Sequence, residues 1–220
     1  MSVTPTIIRS KRKTIMLQIT PDAKLVVYAP TLIPKFFIDR FISEKKDWIE
    51  KKLSEVSIRS VVTQKKYTEG ETFLFLGKKV TLTFTNDITI KVTSDKLFVP
   101  KVIVFRIEKE IETWFKNQAK AHITKRLEYH ATRMKAKYTN VFFSDTKSKW
   151  GTCFPDNSLQ FNWRLIMAPL LVIDYVIIHE LAHTTEKNHS RDFWSRVRLF
   201  TPAYRQHRDW LTKYGHTLSL

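Results

Sequence analysis

The sequence predicts an α+β protein in two units. Residues 1–100 form a β-rich unit with one long helix, and residues 101–220 form a unit built around a buried helix that carries the string HExxH. Three observations support this. Apolar and polar residues alternate over 6–29 and again over 72–99, the period of half-buried strands. Apolar residues fall at helical spacing over 35–57 and 102–136. Pro100 separates the second strand-rich stretch from the second helical one.

Taken in order, Ile15, Leu17 and Ile19 alternate with polar neighbours, Pro21-Asp22 offers a turn, and Leu25-Val26-Val27-Tyr28 continues as strand. Pro30 and Pro34 break the pattern. Phe37, Phe41, Trp48, Ile49, Leu53 and Val56 then mark the apolar side of the long helix. In 72–99, Gly77-Lys78 and Asn86-Asp87 stand where hairpin turns would fall. After Pro100, a helix over about 102–136 puts Ile107, Ile111, Trp114, Phe115, Ile123 and Leu127 on one side, a pattern of core packing. Strands are expected at VFFSD, at WGTCF and along Ser158–Met167. Three helices close the chain: Pro169 suits the first turn of one, Ser190 can cap the second, and Pro202 opens the third, which ends near Gly215.

Charge is the unusual feature of the composition. Against 21 acidic residues stand 38 basic ones, a formal net charge of +17, spread over both halves rather than held in a tail. Such a field attracts polyanions, so nucleic-acid or nucleotide contact is one reading and a solvated basic surface the other. The four glycines form no phosphate-binding loop, and no G-x-x-x-x-G-K-[ST] string is present. Cys153 is the single cysteine, which excludes an intramolecular disulfide. The first residues lack the apolar region of a signal peptide, and no apolar run approaches a membrane span, so a cytoplasmic protein without membrane contact is expected.

The chemistry lies in VIDYVIIHELAHTTEKNHSRDFW. His179 and His183 are four residues apart, on one face of a helix, where both imidazoles can reach one metal ion. Glu180 projects beside that ion, placed to take a proton from water. The apolar residues Val172, Ile173, Val176, Ile177 and Ile178 say that the helix is buried, and buried polar groups there need a partner. A hydrolytic zinc site needs a third protein ligand and an open position. His189, six residues past His183, stands at the interval of the HExxHxxGxxH pattern, although position 186 is Glu instead of Gly. His189 is preferred to Glu186, with Asn188 in the left-handed region making the turn. Arg164 is a candidate to hold a substrate carboxylate or phosphate, or to form a structural ion pair with Asp174 or another acid. Tyr204 and His207 are candidates to stabilise a developing oxyanion, or to serve helix packing alone. Asp174 would hold a ligand histidine or face solvent, and Trp150, Gly151 and Cys153 would form a packed strand under the metal.

Five ordered motifs make the chain familiar: SKWGTC (148–153), FNWRLIMAP (161–169), DYVIIHELAH (174–183), NHSRDFW (188–194) and Pro202-Ala203-Tyr204 followed by Trp210-Leu211. With the looser string RSKRKTIMLQI before them, the chain resembles the YgjP-like family of metal-dependent hydrolases, relatives of the SprT-like zinc peptidases. The resemblance implies a zincin-like metallohydrolase unit over 101–220, a metal held by His179, His183 and His189, and Glu180 as general base. Thr152 and Lys149 depart from the residues the family often has there, and neither is among the proposed ligands.

The reading is therefore a Zn²⁺-dependent hydrolase acting first on peptides. Hydrolysis of a nucleotide phosphoanhydride is the alternative, and a basic nucleic-acid-binding module with a structural metal site is the reading from another class.

Overall fold

The computed structural model describes residues 4–20, 23–60, 65–146 and 148–220. By its internal contacts the chain divides into two compact units, Met1–Gln64 and Lys65–Leu220. The expected turn at Pro21-Asp22 and the side chain of Val56 lie outside the described residues.

In the first unit, β1 (Thr6–Ser10), β2 (Met16–Ile19) and β3 (Leu25–Pro30) form a sheet of order β1-β3-β2. β1 runs parallel to β3 and β2 antiparallel to it. The alternation in β3 buries Leu25, Val27 and Ala29 on one face, where they meet Ile38 and Ile49. The single long helix expected here is two, α1 (Lys35–Glu44) and α2 (Lys46–Ser60). Lys45 leaves helical geometry with φ −102° and ψ 13°, its N–H shared between Ile42 and Phe41 carbonyls. The break shifts the buried positions: Ile38 is fully buried, while Phe37 and Trp48, expected on the core side, are 52% and 41% exposed.

The second unit begins with β4 (Thr72–Phe75), β5 (Lys78–Thr85), β6 (Lys91–Val92) and β7 (Lys96–Pro100), ordered β4-β5-β7-β6. β4 and β5 form a hairpin through Leu76 and Gly77, both at positive φ. A Cβ on Gly77 would also lie 2.7 Å from Pro169 Cα, so this glycine answers both the turn and a close approach. The hairpin expected at Asn86-Asp87 does not form: β5 pairs in parallel with β7, and β6 joins β7 antiparallel.

The long helix α3 (Ile107–Met134) buries Ile111, Phe115, Ala119, Ile123 and Leu127 completely, in one core with this sheet and with the C-terminal elements of the unit. Phe115 meets Phe73 and Phe75 with ring centroids 6.4 and 6.0 Å apart. Residues 65–100, expected with the N-terminal unit, thus share the core of the second, because their apolar faces are covered by α3. The expected boundary at residue 100 falls inside that unit.

A second sheet, β8 (Val141–Ser144), β9 (Gly151–Cys153) and β10 (Leu159–Asn162), has order β8-β10-β9. The strand expected to run on to Met167 ends at Asn162, whose side-chain oxygen accepts from the Arg164 N–H while its amide donates to the Thr146 carbonyl at 2.7 Å. A 3-10 turn over Trp163–Met167 follows, burying Trp163, Leu165, Ile166 and Met167. Helices α4 (Leu170–Ala182), α5 (Arg191–Phe200) and α6 (Tyr204–Tyr214) complete the unit. α4 is buried almost all round, as its apolar composition requires. Ser190 caps α5 as expected, accepting from the Phe193 N–H. No described helix is long and apolar enough to cross a membrane.

Candidate metal centre

α4 places His179 and Glu180 in its last turn, and His183 caps its C-terminal end. The chain then turns back through hydrogen bonds from Thr184, Thr185 and Glu186 N–H groups to Leu181 and Ala182 carbonyls, which delivers His189 just before α5. Asn188 has no left-handed backbone, contrary to expectation; these bonds to the end of α4 make the reversal.

Three imidazoles converge there. His189 Nε2 lies 3.1 Å from His179 Nε2 and 3.2 Å from His183 Nε2, and one ligand atom from each lies within 4.8 Å of the others. His183 Nδ1 is 2.9 Å from the Glu186 carbonyl. A carbonyl only accepts, so this nitrogen carries the proton and His183 Nε2 presents a bare lone pair to the cluster. The Glu186 side chain, the rival third ligand, is not part of the group. Phe193 stacks on His183 at 4.4 Å and Trp194 on His189 at 5.6 Å, which fixes the rings from behind. Burial, helped by the two neighbouring histidines, drives the His179 pKa down to about 3, so this ring is uncharged at neutral pH. Burial also lowers the His183 pKa. Three Nε2 atoms converging on one point fit a metal ion, and all-imidazole donor sets suit zinc, copper, iron and nickel.

Glu180 lines a cleft of about 320 Å³, together with Lys149, Trp150, Tyr175, His179 and Arg208. Burial raises its pKa to about 8, opposed by the Cys153 backbone and the Lys149 charge. Its carboxylate packs against β9 so closely that a Cβ on Gly151 would sit 2.5 Å from Oε1. Gly151, expected in a packed strand under the metal, makes the room in which this carboxylate lies.

The remaining candidates stand elsewhere. Arg164 pairs with Asp145, lies over the Trp163 ring at 4.5 Å, and is not among the residues lining the cleft. Asp174 neither holds a ligand histidine nor faces solvent: it accepts from Arg126 Nε and Nη2 at 2.7 and 2.5 Å and lies 3.2 Å from His130 Nε2, tying α4 to α3. Tyr204 stacks on Trp194 at 5.1 Å, outside the cleft. His207 lies 6.3 Å from the Tyr175 ring and does not line the cleft either. The cleft instead receives Tyr175 and Arg208. Tyr175 was legible, one turn before His179 on the same helical face. Arg208 arrives only because α6 folds back on α4, for which the sequence offers no local signal.

A family model described as YgjP-like, metallopeptidase domain, matches residues 13–214. No curated protein and no solved structure matches the chain.

Proposed function

The chain belongs to the YgjP-like family, and on that premise we propose that it is a zinc-dependent hydrolase that cleaves peptide bonds, with His179, His183 and His189 as ligands and Glu180 as general base. The observation that carries this is the convergence of three imidazole Nε2 atoms beside a cleft that Glu180 lines. Three protein ligands leave a coordination position open, the mark of a hydrolytic rather than a structural zinc site. That argues against a nucleic-acid-binding module with a structural metal, which would close its site with a fourth ligand.

When bound, zinc supplies a Lewis acid that polarises the scissile carbonyl and lowers the pKa of water. The chain's own residues do the rest. Glu180 takes the proton of the attacking water and returns it to the leaving amine, a role suited to a carboxylate that lines the cleft beside the histidines. Arg208 and Tyr175 line the same cleft and can donate to the oxyanion as it develops. An extended substrate needs a free strand edge on which to pair. The strand expected for this, along Ser158–Met167, cannot serve, because β10 is the central strand of its sheet. β9 is an edge strand among the described residues, and Gly151 on it lines the cleft. We assign the substrate backbone to that edge.

Hydrolysis of a nucleotide phosphoanhydride is the second reading, favoured by the cations Lys149 and Arg208 in the cleft and by the net charge of +17. The test of the first reading is Glu180→Gln. It should keep zinc and fold while losing on the order of 10²–10⁴-fold in peptide turnover, because an amide cannot accept the proton. Full activity in the zinc-loaded variant would remove Glu180 as base, and turnover confined to nucleoside triphosphates would establish the second reading instead.

A further inference from the structure

Beside the histidine cluster lies a second depression, of about 540 Å³, whose lining includes Arg191, Trp194, Arg198, Tyr204 and Arg205. α5 presents Arg191, Trp194 and Arg198 at positions i, i+3 and i+7, one face of the helix. α6 contributes Tyr204 and Arg205 from its first turn. Trp194 joins this depression to the metal centre: its ring stacks on His189 at 5.6 Å, stacks on Tyr204 at 5.1 Å and lies 5.8 Å from His179. Arg208, which lines the Glu180 cleft, lies over the same indole at 5.8 Å.

The charge lining the depression is all basic, although Arg205 also donates to the Tyr204 hydroxyl at 3.2 Å and feels Asp209 one turn on. Some basic residues elsewhere in this chain find acids one turn away, as in Arg40–Glu44, Lys91–Asp87, Arg106–Glu110 and Lys116–Glu112. No carboxylate lines this depression, and among the described residues no ion pair reaches Arg191, Arg198 or Arg205. Arg205 also stands in the first turn of α6, which holds no acidic residue, at the helix end that disfavours a cation. Three guanidinium groups around a stacked aromatic wall, with no carboxylate in the lining, form an arrangement that suits an anion.

We propose that this depression is a substrate subsite for carboxylate groups, borne by acidic side chains or by the free chain end of a peptide lying across Trp194 from the cleft. The proposal rests on the peptidase reading of the adjacent site. Guanidinium forks take carboxylates with two parallel hydrogen bonds, and the Trp194–Tyr204 wall offers an apolar face for the stem of a glutamate.

The test is fluorescence anisotropy of labelled peptides on the zinc-loaded full chain carrying Glu180→Gln, which keeps the peptides intact. A peptide rich in Glu and Asp is compared with its Gln and Asn counterpart, each with a free and an amidated C-terminus. The expected result is about tenfold tighter binding of the acidic peptide, the size of one or two charged hydrogen bonds. That preference should fall below about twofold in Arg198→Gln and Arg205→Gln, exposed positions whose fold is checked by circular dichroism. If the free-ended peptides outbind their amidated forms whatever their side chains, the chain end is the carboxylate bound; if the acidic peptides outbind their Gln and Asn counterparts whatever their ends, the side chains are. Equal affinity for all four peptides would overturn the subsite, as would a preference untouched by both arginine variants. A single-stranded oligonucleotide of matched charge that bound tenfold tighter through the same arginines would overturn the peptide assignment. Turnover of the same peptides by the wild-type chain reports separately: preferential binding without cleavage would sink the hydrolytic reading and leave the subsite standing.

Discussion

Replacing Gly151 by alanine adds one methyl group at the point where β9 meets the carboxylate of Glu180. Its Cβ would lie 2.5 Å from Oε1, 2.6 Å from Cγ and 2.8 Å from Cδ. Ordinary contact begins near 3.5 Å, so about 1 Å must be found. The backbone of Gly151 is not in the left-handed region, so alanine costs nothing there. The atoms that must give way belong to Glu180, whose Cα is held in the buried helix α4. Overpacking of this kind costs about 1–3 kcal/mol, and for a chain of this size each kcal/mol lowers Tm by about 2–4 °C. The functional cost should exceed the structural one, since displacing a general base by about 1 Å loses on the order of 10²-fold in kcat/KM. Zinc content should not change, because the glycine's close contacts are with Glu180 and none of the three histidines is among them. Three measurements therefore separate the effects: zinc per chain, Tm and kcat/KM on a peptide. A double-variant cycle sharpens them. Glu180→Asp withdraws one methylene, so the cost of Gly151→Ala should shrink in that background. Wild-type kcat/KM in Gly151→Ala, or strict additivity with Glu180→Asp, would refute the claim that Gly151 sets the position of the base.

The same geometry sets further outcomes. His179→Ala, His183→Ala and His189→Ala should each lose most bound zinc and Glu186→Ala should retain it; metal analysis of the purified proteins decides, and the reverse pattern for His189 and Glu186 would replace the third ligand. Arg164→Ala removes an ion pair to Asp145 away from the cleft, so kcat/KM should change by less than about twofold, within the small effect of a partly exposed pair. Asp174→Asn leaves Arg126 and the buried His130 without their acid, which should cost about 2 kcal/mol in denaturant unfolding once the partial exposure of Arg126 is allowed for. Burial raises the Asp174 pKa, but hydrogen bonds and charges from His130 and Arg126 outweigh it and hold the group below the usual carboxylate value. Its contribution is therefore present above about pH 4 and lost as pH falls below that, so acid unfolding should be less steep in Asp174→Asn than in the wild type.

What the sequence made legible was local. The four-residue spacing of His179 and His183, the apolar run before them and the Ser190 cap each depend on neighbours along one helix, and each appears in the structure as expected. His189 was reachable through its spacing alone, although the turn that delivers it uses bonds to the end of α4 rather than a left-handed Asn188. Non-local pairing was not legible. Strands 72–99 show the same alternation whether they pack on the first unit or on α3, and a parallel β5–β7 pair skips over the turn residues at Asn86-Asp87 that suggested a hairpin. Asn162 ended the predicted strand through contacts with Thr146 and Arg164, which alternation cannot reveal. Arg164 and Asp174 were plausible partners by charge, yet each found a different one, Asp145 and Arg126, once α3 and the loop after β8 were in place. Arg208 and the role of Gly151 likewise come from elements that meet only in the folded chain.

The most direct measurement is peptide turnover by the full chain before and after metal removal. Stripped with a chelator, the protein should lose turnover, regain it with one equivalent of zinc per chain, and fail to regain it when His189→Ala is treated in the same way. Full peptide turnover by metal-free protein, or restoration of His189→Ala by one equivalent of zinc, would contradict a three-histidine hydrolytic centre.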